Sequence, residues 1–371
     1  MIEHGLTEHG LTEHGLTGHG MTERGLARLL VRDCGAGTSI QDAGRFGYQR
    51  YGVGPAGAMD KIALAVANRL VGNAPGTGAI EFALFGGSFV VEGGEVRVAL
   101  AGALADLKVD GEPVPALTSV TARPGQVVQV GPAKAGVFMV LAVAGGFVLK
   151  PDLGSQSFHL RAGLGGVDRQ PVKPGQKLAV AGKPAGPELT VSRAPSVAAG
   201  VYRIVLGPQD DYFTEAGIRT LTEQAYAVSA KADRMGYRLT GPKIEHGRGY
   251  NIVSDGIVTG SIQVPGSGEP IVLLADRQTT GGYPKIATII SADLPRFVQQ
   301  RPGSEVRFAV VSRAEAIAAA REQAAMLAAV AEGLRPAGGG LDAERLLSLN
   351  LIDGWVDARR GETEEAAAAG G

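Results

Sequence analysis

Residues 263–290, QVPGSGEPIVLLADRQTTGGYPKIATII, limit the possible folds more than any other part of this chain. Residues 271–275 form an apolar run of strand length and residues 285–290 a second run rich in β-branched residues, so the pattern predicts two strands. The segment DRQTTGGYP joins them, and the simplest expectation is a hairpin. A connection that only reverses the chain needs two residues of Asn-Gly or Gly-Gly type. This one holds Asp276, Arg277, Gln278, Thr279, Thr280, Gly281, Gly282, Tyr283 and Pro284, with Lys285 at its end. Gly281 and Gly282 permit positive φ and close approach of a ligand to the backbone, while Pro284 stiffens the exit. An ordinary solvated turn has the same polarity, so composition alone does not make the loop a site.

The wider composition agrees with short strands and turns. Among 371 residues there are 56 glycines and 20 prolines, too many for a helical protein, and the expected class is mainly β. The length favours two domains. Lys plus Arg number 36 against 37 for Asp plus Glu, which leaves no field to draw nucleic acid or an anionic membrane. The single cysteine, Cys34, excludes an internal disulfide and a multi-cysteine metal site, and reads as a small core residue. No run approaches the ~20 apolar residues of a membrane helix, and the N-terminus lacks the apolar core of a secretion signal. The expectation is a soluble, cytoplasmic protein.

Residues 4–25 repeat HGLTE with drift. A period of five matches neither helix nor strand, so disorder is expected there, with Met21 a candidate true start and the histidines at best weak metal ligands. After a strand near residues 29–32 comes a glycine-broken polar stretch, 37–60, with Gln41, Asp42, Arg45, Tyr48, Gln49 and Arg50 available either to a ligand or to an internal network. Asp60 can cap a helix over 61–71 with Ile62, Val66 and Leu70 on one face. Strands follow to about residue 180, with a hairpin signal at Asp110-Gly111. GPAKAG at 131–136 lacks the Gly-Lys-Ser/Thr ending of a phosphate loop.

The small, proline-bearing residues 183–200 suggest a domain boundary. Beyond it, a helix is expected over 212–222, and Asp233, Arg234, Gly236, Tyr237 and Arg238 form a third polar cluster. His159 and His246 read as structural histidines. Ser312 with Glu315 makes a capping box for an alanine-rich helix ending at Gly333, a short helix is expected over 342–350, and the end should fray without carrying chemistry.

Several of these motifs, in order, carry a family resemblance. TSIQDAGRFGYQRYGVGPAGAMD with ANRLVGN, then SAKADRMGYRLTG, GSIQVPGSGEPIVLLADRQTTGGYPKIATI and PGSEVRF, resemble the family that includes the C subunit of ATP-dependent 5-oxoprolinase, the second subunit of allophanate hydrolase type proteins and an antagonist of a sporulation-kinase inhibitor. The likeness runs from about residue 29 to 311. It implies two cyclophilin-like β-barrel domains with a few short helices: 26–190 and 191–315, after a repeat at 1–25 and before a helical, fraying tail at 316–371. It implies a chain that works with a smaller B subunit, together with an A subunit, using ATP with magnesium as counter-ion, to open the lactam 5-oxoproline to glutamate. It implies Asp276, Lys285 and Arg45 as catalytic residues. Gln41, Asp42, Arg234, Tyr237, Arg277, Thr279, Gly281, Gly282 and Tyr283 would bind substrate or nucleotide, Asp276 would orient a metal ion or a proton on the substrate, and no metal-ligating residue is named. Two alternatives remain open under the resemblance. One is a carboxyltransferase component of a biotin-dependent carboxylase or amidolyase, with biotin arriving on another chain. The other is a non-catalytic antagonist that binds a kinase-inhibitor partner.

Overall fold

A computed structural model describes residues 26–192 and 200–338. The histidine repeat and the helix expected over 342–350 lie outside these residues. The fold is mainly β. In the first unit a six-stranded and a five-stranded sheet enclose one apolar core that draws Leu29, Phe89 and Val128 from the first sheet and Ile80, Phe82 and Met139 from the second. Its Asp110-Gly111 hairpin forms as expected between Leu107–Val109 and Glu112–Val114, with φ of 50° and 85° at the two turn residues, the geometry that a tight two-residue turn requires.

Strands Val96–Leu104 and Ala135–Val143 read as continuous apolar runs because both of their faces are covered. One faces the sheet core and the other packs on helix α1 (Lys61–Leu70). Asp60 caps α1, its Oδ1 accepting from the Ile62 and Ala63 amides at 3.0 and 2.9 Å. Ile62, Leu64, Val66 and Leu70 are all buried, each contributing about 1.5–3 kcal/mol of transfer free energy. Short helices α2 (Glu215–Glu223) and α3 (Leu294–Phe297) accompany the second unit.

That second unit is a closed barrel. Its strands run in the order Val201–Leu206, Lys285–Ile289, Ser261–Gln263, Ile271–Leu273, Gly236–Thr240, Tyr226–Val228 and Glu305–Val310, and the last pairs in parallel with the first. The expected hairpin is corrected here. Ser261–Gln263 lies between Ile271–Leu273 and Lys285–Ile289 and pairs antiparallel with both. The two apolar runs are therefore parallel to each other, and residues 274–284 form a crossover over the intervening strand. The loop is long because it bridges a strand rather than reversing the chain.

The two units meet through polar clamps as well as apolar contact. Gln299, in the second unit, accepts from the Val137 and Phe138 amides at 2.7 and 2.9 Å and donates to Asp60 at 2.7 Å. Helix α4 (Arg313–Glu332) begins at the expected capping box, where Ser312 Oγ accepts from the Glu315 amide and the Glu315 carboxylate accepts from the Ser312 amide. It lays Met326, Leu327 and Val330 on α1, and Arg335–Pro336 then pairs with Leu189–Thr190 of the first unit. Residues 313–336 thus cross both units.

Candidate functional site

A cavity of about 480 Å³ opens where the two units face each other. Its polar wall is built from both. Glu81 comes from strand Ala79–Ala83 of the first unit, while Arg234 and Asp276 come from the second. Arg234 grips Asp276 in a fork, Nε to Oδ2 at 2.8 Å and Nη2 to Oδ1 at 2.9 Å. Its Nη1 donates to Glu81 Oε1, and Nη2 also donates to the Gly57 carbonyl at 2.8 Å. Glu81 Oε2 accepts from the Met59 amide at 2.7 Å. Backbone geometry fixes the pair: Asp276 N donates to Arg234 O, and the Asp233 carboxylate accepts from the Met235 and Gly236 amides, turning the chain into its strand just after Arg234.

His159, Arg161, Ser39 and Gln300 add to the polar lining, and Phe82, Leu84, Phe138 and Met235 supply an apolar side. His159 Nδ1 accepts from the Ala162 amide at 3.4 Å, which assigns the proton of the neutral ring to Nε2. Residue 54 passes so close that a Cβ there would lie 3.1 Å from His159 Nε2 and 2.9 Å from the Arg277 carbonyl. Only glycine fits between them.

The electrostatics follow from burial against pairing. Burial pushes the Glu81 carboxyl up to about 7, against the downward pull of Arg234. Burial disfavours a charged Arg234, but Asp276 and Glu81 outweigh it and hold the guanidinium protonated. His159 is pushed down, chiefly by burial, and stays neutral near pH 7. The wall thus presents a fixed cation, a carboxyl that titrates near neutrality and an imidazole able to take a proton.

The residues expected from sequence separate into three groups. Arg234, Tyr237 and Asp276 line the cavity, with the Tyr237 hydroxyl donating to the Val298 carbonyl at 2.7 Å. Gln41, Asp42 and Arg45 lie behind it and pin residues 152–158. Gln41 donates to the Phe158 carbonyl, and Asp42 accepts from the hydroxyls of Ser155 and Ser157 and from the Gln156 amide. Arg45 donates to the carbonyls of Asp152, Ser155 and Ser157. Arg277 is likewise absorbed, by the Ile257 and Leu274 carbonyls and the Thr259 hydroxyl, and burial lowers it to about 10.

Thr279, Gly281, Gly282, Tyr283 and Lys285 form the third group, outside the cavity lining. Thr279 and Gly282 present their carbonyls to the Ile257 and Ile252 amides, Gly281 pairs with Asp255, and the Tyr283 carbonyl accepts from Gln263. Lys285 Nζ donates to Asp255 at 2.7 Å, and this bond, with that from Gln209, holds the Asp255 carboxyl down at about 2. Sequence reasoning read His159 as structural and did not single out Glu81 or Arg161 for the site. Glu81 carried a readable signal, a lone carboxylate inside the apolar run AIEFALF.

Among the described residues no group of three or more His, Cys, Asp or Glu side chains is placed to hold a metal. The cavity carboxylates do not fit a magnesium ion either, since Arg234 and the Met59 amide already occupy Glu81 and Asp276. No described helix is long and apolar enough to cross a membrane.

A closed barrel joined to a two-sheet unit across a polar cavity defines a carboxyltransferase-like fold, and comparison with known proteins places the chain within it. The protein belongs to the carboxyltransferase domain family, subdomains A and B, which matches residues 51–310. It is 38% identical over 286 residues to the C subunit of 5-oxoprolinase from Haemophilus influenzae, covering 77% of this chain and 92% of that protein. It is 34% identical over 288 residues to the corresponding 5-oxoprolinase chain of Escherichia coli, with the same two coverages. The solved structure of Kluyveromyces lactis urea amidolyase superimposes with a TM-score of 0.75 at 25% identity, over 82% of this chain and 20% of that one. Of the polar residues that line the cavity, Glu81, His159, Arg161, Asp233, Arg234, Tyr237, Asp276 and Gln300 fall within the family match, while Ser39 precedes it.

Proposed function

We propose that this chain is the C subunit of an ATP-dependent 5-oxoprolinase and holds the lactam in the cavity between its two units. The match to two such 5-oxoprolinase chains over 92% of their length carries this reading, and the cavity chemistry supports it. Opening a five-membered cyclic amide requires its carbonyl to be polarised and a proton to be delivered to nitrogen as the C–N bond breaks. Arg234, whose charge is balanced by Asp276 and Glu81, supplies an oriented N–H donor to the lactam carbonyl, and Glu81 and His159 hold or release a proton. The assembled complex would transfer the γ-phosphoryl of magnesium-bound ATP to the lactam oxygen with release of ADP; addition of water and cleavage of the C–N bond would then leave an acyl phosphate, whose hydrolysis gives glutamate and phosphate. Because the cavity carboxylates are already occupied, the metal and triphosphate are assigned to the assembled complex rather than to this chain alone. The B subunit shares the activation step, while hydrolysis is completed by the A subunit, in the cytoplasm.

The test is glutamate release from 5-oxoproline and ATP by this chain co-expressed with candidate A and B subunits from the same source. Activity that requires all three chains is expected. A complex that assembles yet releases no glutamate contradicts the reading, and biotin-linked carboxyl transfer becomes the next assay.

A further inference from the structure

No cation that the sequence pointed to for holding an anion is free to reach one in the cavity: Arg45 donates through Nε and Nη2 to carbonyls, and its Nη1, though unpartnered, is buried behind the cavity lining. Arg277 is surrounded by carbonyls and a hydroxyl, Lys285 is bonded to Asp255, and Arg234 is shared by two carboxylates. The cavity's deep wall therefore has no positive charge to spare: one guanidinium stands against Glu81 and Asp276. A substrate carrying a carboxylate needs a second cation. Arg161 lines the same cavity, is exposed, and forms no ion pair or hydrogen bond with any described residue.

We propose that Arg161 recognises the carboxylate of the lactam substrate at the cavity mouth and sets the preference for an anionic over a neutral cyclic amide. The proposal rests on the lactam reading above. The backbone beneath Arg161 is built to hold it in place. His159 N donates to the Leu164 carbonyl at 2.9 Å, Gly163 N to the His159 carbonyl at 3.0 Å, and Gly165 N to Asp152 Oδ2 at 2.9 Å. The same turn carries His159, so the imidazole and the guanidinium are set at a fixed spacing along one rigid segment. A lactam entering with its amide toward Arg234 and its ring against Phe82 and Phe138 leaves its carboxylate at the mouth, where a long, unpaired side chain can close on it. The shared chemistry, an oxyanion meeting a guanidinium, would suit a phosphoryl group as well, so the test separates the two sources.

The experiment compares wild type, Arg161→Ala and Arg161→Lys in the assembled complex. Binding of 5-oxoproline and of 2-pyrrolidone, the same ring without the carboxylate, is measured by calorimetry without ATP, and turnover of each is followed as ADP release. Loss of one charge-assisted contact should weaken 5-oxoproline binding and raise its KM by about 10- to 100-fold. Over the same change kcat, 2-pyrrolidone binding and the KM for ATP should move by less than about threefold, with Arg161→Lys recovering part of the loss. Unchanged 5-oxoproline affinity, an equal loss for both lactams, or an effect confined to ATP would overturn the assignment. The lactam reading fails separately, through absent glutamate release. In that case the calorimetric preference of wild type for 5-oxoproline over 2-pyrrolidone, lost in Arg161→Ala, still decides the role of Arg161, and no preference in wild type refutes it.

Discussion

Arg45 and Arg234 are both withdrawn from water, but their partners differ in kind. Arg45 is 1% exposed and donates to three backbone carbonyls of one loop in one unit. Arg234 donates to two carboxylates, one from each unit, on the wall of a cavity. Carbonyl partners are neutral and fixed, so Arg45 ties down a loop and its own charge is disfavoured by burial. Carboxylate partners can titrate and can be re-paired by a substrate, so the Arg234 cluster can respond to what enters. A buried guanidinium by itself does not mark a site; the identity and origin of its acceptors do.

Methionine substitution of each arginine should break this comparison most strongly. Arg234→Met leaves Glu81 and Asp276 buried without their counter-ion and should cost about 3–5 kcal/mol near pH 7. Arg45→Met removes donors from three carbonyls and should cost about 1–3 kcal/mol. Denaturant unfolding at pH 5 and pH 8 distinguishes them: acid should recover part of the Arg234→Met loss by protonating the stranded carboxylates and leave the Arg45→Met loss unchanged. Equal pH response in both variants would remove the distinction drawn here.

A smaller effect is expected from Glu81→Gln, which keeps the shape of the side chain but cannot titrate. In the folded protein the carboxyl titrates at about 7, above its ordinary value of 4.5, so between those values the native state holds a proton that the unfolded chain has released. The associated stability is complete below about pH 4.5 and is lost as pH rises through 7. Wild-type stability measured relative to Glu81→Gln should therefore fall by on the order of 1–3 kcal/mol between pH 5 and pH 8. A flat difference would mean that Glu81 stays ionised throughout.

The fold was largely legible because its signals are local. The Asp60 cap, the Asp110-Gly111 turn and the Ser312/Glu315 capping box each depend on residues within a few positions of one another, and each forms. The supposed hairpin failed for the opposite reason. Which strand lies between 271–273 and 285–289 is a property of barrel closure, and nothing inside 263–290 records that Ser261–Gln263 folds back between them. The site was legible in part. Arg234, Tyr237 and Asp276 stood out within polar clusters, and the cavity brings them together. The same criterion also selected Arg45, Arg277 and Lys285, whose side chains are absorbed by carbonyls, a hydroxyl and a carboxylate that only the folded chain brings near. Glu81 was passed over because it stands among apolar neighbours in sequence, and His159 was read as a structural histidine, although both are delivered to the cavity from the first unit. Arg161, in SFHLRAGLGG, looks like an ordinary surface arginine until the cavity behind it is seen.

The cavity between the units, and not the ladder around Lys285, is the proposed place of reaction. The most direct measurement compares kcat/KM for 5-oxoproline in assembled complexes carrying Asp276→Asn or Lys285→Met. Asn at 276 retains the size of the side chain but breaks the charged fork to Arg234, and kcat/KM should fall by on the order of 10²–10⁴. Lys285→Met frees the half-exposed Asp255 carboxylate and should change kcat/KM by no more than about threefold. The reverse order, with Lys285 essential and Asp276 dispensable, would contradict the placement of the site.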